Sequence, residues 1–249
     1  MQCRPFLLAA LVLAPGLTAR AEPRTEIRAI LNRAIRATGG EARLSQLKAG
    51  KWTVRGKYYE TQIPTEFVGE WARESPDRLR AVLRGQSNDS KFEMITVFNH
   101  DVGWISVNGK GHPMSADEIA ETKDELHASE LARLTPLRGR AVSLTLLGPA
   151  KVEGRAAVGI KAVARERRDV KLFFDTENGL LIKTETTVKD DRTGKEVTQE
   201  TVYSDHRDVD GLKLPFKTFV RRNGKPYLDS TVSDYKASAL LEPALFEKP

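Results

Sequence analysis

The feature that most constrains this chain is a two-residue alternation of apolar and polar side chains, repeated from Trp52 to Tyr235 and cut at short intervals by turn residues. Its clearest instance is 212–222, where Leu212, Leu214, Phe216, Thr218 and Val220 share one phase and Lys213, Lys217 and Arg221 share the other. Successive side chains of a strand point to opposite faces, so this run makes a strand with one apolar side and one wet side. Asp210-Gly211 before it and Asn223-Gly224 after it are the residues of tight antiparallel connections. From Val170 to Tyr235 the pattern yields five extended segments in succession, an antiparallel meander.

The same period governs the first half. Trp52, Val54, Gly56 and Tyr58 alternate with Thr53, Arg55 and Lys57; Phe67, Gly69 and Trp71 follow. Leu79, Ala81 and Leu83 oppose Arg78, Arg80 and Arg84. Phe92, Met94, Thr96 and Phe98 form one further strand, and 102–107, carrying Trp104, another that Asn108–Gly111 closes. Three stretches depart from this period. Ile27, Ile30, Leu31, Ala34 and Ile35 recur at helical spacing and end at Gly39-Gly40; a short second helix presents Leu44 and Leu47. Ser115-Ala116-Asp117-Glu118 is a capping box that opens a third helix bearing Ile119, Leu126, Leu131 and Leu134, ended by Pro136. Roughly ten strands with a few helices predict a mainly β, α+β domain in which one curved antiparallel sheet packs around helices. No linker or repeat divides 22–249, which reads as a single domain.

The first residues read as an address. Arg4 precedes the apolar run Phe6–Ala14, Pro15-Gly16 breaks it, and Ala19-Arg20-Ala21 offers small residues at cleavage spacing. Residues 1–21 are therefore expected to be a signal peptide cleaved after Ala21, sending the protein to an exported, periplasmic location. The single cysteine, Cys3, lies in that leader, so the mature chain is expected to have no disulfide, thiol nucleophile or Cys-ligated metal. The net charge of +6 comes from scattered Lys and Arg interleaved with nearly as many acids, which is no nucleic-acid footprint.

Catalytic chemistry has no visible carrier. His100, His112, His127 and His206 form no close ligand pair, and there is no nucleophile elbow, phosphate-binding loop or dinucleotide fingerprint. Asp208-Val209-Asp210-Gly211 lacks the rest of a calcium loop and reads as a hairpin turn. The expectation is a non-enzyme with no cofactor and no metal. The aromatic and large apolar strand residues of the first half are Trp52, Val54, Tyr58, Phe67, Trp71, Leu79, Phe92, Met94, Phe98 and Trp104. They either fill a core or line an apolar cavity that the helices cover; the pattern allows both.

Phe174-Asp175, Gly179-Leu180-Leu181, 197–203, Gly211-Leu212-Lys213-Leu214-Pro215, Gly224, Ser233-Asp234-Tyr235 and Leu245-Phe246-Glu247-Lys248-Pro249 together resemble the periplasmic lipoprotein-carrier superfamily of LolA-like, LolB-like and LppX-like proteins. Gly39-Gly40, Leu44, Leu47, Gly69, Arg73, Pro76, Arg78 and Trp104 extend the resemblance upstream. It implies an incomplete β-barrel of about eleven antiparallel strands lidded by helices. It also implies acyl chains of a lipid or lipoprotein in the cavity, with Ile119, Leu126 and Leu131 on the lid helix. Arg73 stands where the family has a lid-controlling arginine, although Glu74 and Ser75 separate it here from Pro76. Implied partners are inner- and outer-membrane sorting proteins, with the chain itself a monomer. The same fold also serves as an envelope-stress sensor, which is the alternative reading.

Overall fold

A computed structural model describes residues 23–60, 64–87, 90–190 and 192–249. The leader and its cleavage after Ala21 lie outside the described residues. The chain opens with α1 (Pro23–Thr38) and α2 (Glu41–Gln46). It continues with β1 (Ala49–Tyr58), β2 (Thr65–Glu74), β3 (Arg78–Ser87), β4 (Ser90–Asn99), β5 (Val102–Val107) and β6 (Lys110–Pro113). Helix α3 (Ala116–Leu131) and a 3-10 turn, Thr135–Arg138, lead to β7 (Val142–Val152), β8 (Arg155–Ala164), β9 (Val170–Asp175) and β10 (Leu181–Lys189). The meander closes with β11 (Glu196–Val209), β12 (Leu212–Arg222) and β13 (Lys225–Ser238), and a last 3-10 turn spans Pro243–Phe246.

All thirteen strands lie in one antiparallel sheet, ordered β6-β5-β4-β3-β2-β1-β13-β12-β11-β10-β9-β8-β7. The first and last strands of the chain thus pair in the middle, and the two edges, β6 and β7, are the strands that flank α3 in sequence. The lid helix is the connection from one edge to the other. The strand count exceeds the eleven or so of the expectation. One reason is β6, read from sequence as a closing turn: all four of its residues are exposed, so no apolar alternation marks it.

The sheet curls, and α3 shows why it must. Seven strand steps separate β4 from β10, about 34 Å in a flat sheet at ~4.8 Å per step. Yet Ile119 and Leu126 of α3 pack with Phe98 of β4, while Glu121 accepts from the backbone N–H of Lys189, at the end of β10, at 3.1 Å. Ile119 and Glu121 are only ~3 Å apart along a helix axis. The two arms of the sheet therefore bend toward one helix.

The cap of α3 forms as its residues predict: the Ser115 hydroxyl accepts from the Glu118 N–H at 3.3 Å, and the Ser115 N–H donates to Glu118 Oε2 at 2.7 Å. The main core lies on the concave face, where Ile27, Leu31, Ala34 and Ile35 of α1 pack on Ile160, Ala162, Leu172 and Phe174. A smaller cluster lies on the convex face. There Leu241 and Phe246 of the tail cover Ala49, Ala72 and Val97.

Candidate functional site: a concave wall under a helical lid

Strand register assembles the predicted residues into one wall. Trp52, Trp71, Ala81, Thr96 and Ile105 stand directly across from one another. The neighbouring rows are Val54-Gly69-Leu83-Met94 and Gly56-Phe67-Gly85-Phe92, with Arg73-Leu79-Phe98 on the other side. Tyr58, opposite Thr65, continues the same phase. Trp104 does not join them: it pairs with Val97, one residue out of phase, and lies on the convex face with Lys248 Nζ 4.2 Å from its ring centre. The sequence run 102–107 has apolar residues in both phases, so alternation there could not choose a face.

The rings of this wall lie flat. A Cβ on Gly85 would come within 2.6 Å of the Phe92 ring, one on Gly56 within 2.7 Å of Phe67, and one on Gly69 would overlap the Trp71 ring. Glycine is thus the seat on which each ring rests, a close-approach role for glycine within strands. Trp52 stacks on Trp71 (ring centres 6.5 Å, planes 6° apart) and on Tyr235 (5.9 Å, 23°), offset arrangements that aromatic pairs favour.

The predicted residues divide by role. Phe98 is fully buried and, with Leu79, Met114 and Ile105, receives Ile119 and Leu126 of α3. These residues seat the lid and line none of the cavities described here. Leu131, at the other end of α3, joins the core around α1. Trp52 lines a cavity of about 350 Å³ between α2, the end of α3 and β11–β13. Its apolar lining comes from Leu44, Leu47, Leu134, Leu181, Phe216 and Val232. Trp71 lines an adjoining, more polar cavity of about 420 Å³ with Val188 and Val220; its other walls carry threonines, among them Thr184 and Thr201, and the charged side chains of Asp124, Glu125, Arg168 and Arg222. Ser129, Tyr203 and Thr218 border both. Phe67 and Phe92 open onto a wider depression of about 1040 Å³ at the far ends of β1–β4.

The meander thus supplies as much of the lining as the aromatic strands do. Tyr203, Phe216, Val232 and Tyr235 were not named as cavity lining from the sequence. Phe216 carried a usable signal, since it stands in the apolar phase of the best-patterned strand. Tyr203 carried none, because only the curl of the sheet brings it beneath α3.

Polar contacts fasten the lid to both arms. From β2, the Arg73 guanidinium donates to Glu130 Oε1 at 2.8 Å, to the Leu126 carbonyl at 3.1 Å and to the Ser129 hydroxyl. Ser75 adds a bond to Glu130 Oε2 at 2.7 Å. Burial pushes the Arg73 pKa down and Glu130 opposes that shift. From the other arm, Arg168 reaches both oxygens of Glu121 at 2.6 Å. Burial alone would raise the Glu121 pKa, but the bonds from Arg168 and the Lys189 N–H hold it below the usual carboxylate value.

Inside, burial raises the pKa of Tyr203 and Tyr235, and Tyr203 bonds the Thr184 hydroxyl at 3.1 Å. His206 Nε2 donates to the Leu181 carbonyl at 3.2 Å, and burial lowers its pKa. On the lid, His127 has a buried Nε2 with no hydrogen-bond partner, and burial lowers its pKa too. Among the described residues no group of three or more His, Cys, Asp or Glu side chains could hold a metal ion.

No protein-family model matches the sequence, and no curated protein matches it. Solved structures do. A LolA superfamily protein from Nitrosomonas europaea aligns with TM-score 0.55 at 12% identity, covering 89% of this chain and 97% of that one. A putative outer membrane lipoprotein-sorting protein domain from Vibrio parahaemolyticus aligns with TM-score 0.52 at 10% identity, covering 87% and 97%. A DUF1329 family protein from Desulfovibrio piger aligns with TM-score 0.54 at 10% identity, covering 89% and 97%. The curled sheet with unjoined edges and a helix strapped across them is the LolA-like fold.

Proposed function

We propose that this chain is a non-catalytic periplasmic carrier or binder of lipid or lipidated protein, holding acyl chains against the flat-ring wall beneath α3. The observation that carries the reading is the aromatic wall under the lid: Trp52, stacked on Trp71 and Tyr235, faces a cavity lined by Leu44, Leu47, Leu134, Leu181, Phe216 and Val232, beneath a helix that is fastened through polar groups. An acyl chain asks for no reactive group. Burial is worth about 0.8 kcal/mol per methylene, so ten methylenes gross roughly 8 kcal/mol, near micromolar before ordering costs. The threonine-lined side gives hydroxyl partners to the polar end of such an amphiphile. Loading and release go through the lid, by parting its polar ties at Arg73 and Arg168 and its apolar seat at Phe98. In this reading the 1–21 leader exports the protein, which works as a monomer between inner- and outer-membrane sorting partners.

The test is to extract the purified protein with organic solvent, weigh what comes off, and titrate the stripped protein with a fluorescent acyl probe. Bound lipid and saturable probe binding are expected. Absence of both ends the carrier reading, and a stable complex with a membrane protein in their place would favour the sensor alternative.

A further inference from the structure

Apart from the cavities beneath α3, a cleft of about 750 Å³ runs between α1, the 3-10 turn and the start of β7. Its floor is apolar, with Ile27, Leu31, Leu137 and Leu144. Its rim is basic: Arg24, Arg28, Arg138 and Arg140 line it and all four are exposed. Arg138 pairs with Glu41 at 2.6 Å; Arg24, Arg28 and Arg140 carry no ion pair among the described residues. Arg24 and Arg28 fall in the first two turns of α1, where the positive end of the helix dipole disfavours cations. Three unpaired guanidiniums, opposed on α1 by Glu26 alone, therefore leave a net positive field over a greasy trough.

We propose that this cleft binds the phosphate headgroup of an anionic lipid and so docks the protein on an acidic membrane surface. Guanidinium forks match phosphate oxygens in pairs. The trough directly below them suits the hydrocarbon that adjoins a phosphate in a phospholipid. Three floor residues, Ile27, Leu31 and Leu137, belong to the same apolar cluster as Leu44, Leu134 and Leu181, which line the inner cavity. The headgroup site thus stands back to back with the cavity, and docking would set the carrier's inner chamber close to a bilayer. The site uses none of the cavity's rings, so it stands or falls apart from the carrier reading.

The experiment is flotation of the full protein with vesicles of 30% phosphatidylglycerol in phosphatidylcholine, against pure phosphatidylcholine. Binding to the anionic vesicles alone is expected, weakening steeply between about 50 mM and 500 mM NaCl as screening shortens the reach of each charge. Arg24→Gln, Arg28→Gln and Arg140→Gln together are expected to reduce binding roughly a hundredfold, about fivefold for each arginine near an acidic surface. The matched triple Lys151→Gln, Lys195→Gln and Lys225→Gln removes the same charge elsewhere and is expected to change it less than threefold. Arg→Lys at the three cleft positions guards against misfolding and is expected to keep most of the binding. Salt-independent flotation, flotation with neutral vesicles, or equal loss in the two Gln triples overturns the proposal. Acyl-probe titration of the cleft variants is expected to match the wild type, which separates failure here from failure of the cavity reading.

Discussion

Arg73 Nη2 stands 2.8 Å from Glu130 Oε1, and both side chains are nearly closed off from solvent, at 11% and 14% exposure. That contact ties β2, near the middle of the sheet, to the helix that links the two edges. Removing one partner of a buried ion pair leaves the other charge unpaired and is strongly destabilising, by about 3 kcal/mol. Here Arg133 stands 3.8 Å from Glu130 and offsets part of it. Arg73→Leu is expected to raise hydrogen exchange across 116–131 and to speed acyl-probe release several-fold. Unchanged α3 protection would show that the apolar seat alone holds the lid.

Gly69 holds the ring of Trp71 against the wall. Gly69→Val puts two methyls where that ring lies, and overpacking of this kind costs about 1–3 kcal/mol. The ring must lift into the cavity, so probe affinity is expected to fall by tenfold or more, with tryptophan emission shifted to the red. Retained affinity with an unshifted spectrum would show that the ring has room to slide sideways.

Phe98, Trp71 and Trp104 are all aromatic strand residues with three different roles. Phe98→Ala is expected to destabilise by about 3–5 kcal/mol, as truncation of a fully buried ring does. Trp71→Asp is expected to abolish probe binding with a smaller loss of stability, since it faces a cavity. Trp104→Ala, on the convex face, is expected to leave probe binding unchanged. Urea midpoints and probe titrations on the three variants check the ranking.

Two half-buried histidines set a pH dependence. Both His127 and His206 have folded pKa values below the ordinary 6.5 because burial penalises their charged forms. As pH falls from about 7.5 to 5.5 the unfolded chain takes up protons first, so stability falls with pH in that window. Below the folded values both states are charged and the loss stops growing. His127→Gln is expected to flatten part of the slope, read as urea midpoint against pH; an identical slope would place His127 in water.

Period-two alternation made the sheet legible, because along most of the concave wall one face meets apolar neighbours and the other carries polar residues, the tail covering Ala49, Ala72 and Val97 on the convex side. Leu212–Val220 and Phe92–Phe98 took the faces their phases predict. The edge strand Lys110–Pro113 left no such mark, since an exposed edge buries neither face. The wall residues from Trp52 to Phe98 were legible as a set, but their division into lid seat and cavity lining was not. That division depends on where α3 lands, which curvature decides and local pattern does not encode. Trp104 shows the remaining limit: a run with grease in both phases names no face. Tyr203 and Tyr235 entered the lining through pairing between distant strands.

The unjoined edges have a mechanical consequence. A closed barrel has a girth set by its strand number and stagger. Here β6 and β7 bond to no strand on their outer sides, so no ring of hydrogen bonds limits the circumference. Small changes of twist spread over many strands would part the two arms or draw them in, with α3 as a strap between the edges. Unlike a barrel, such an open sheet has no bore fixed by the number of its staves.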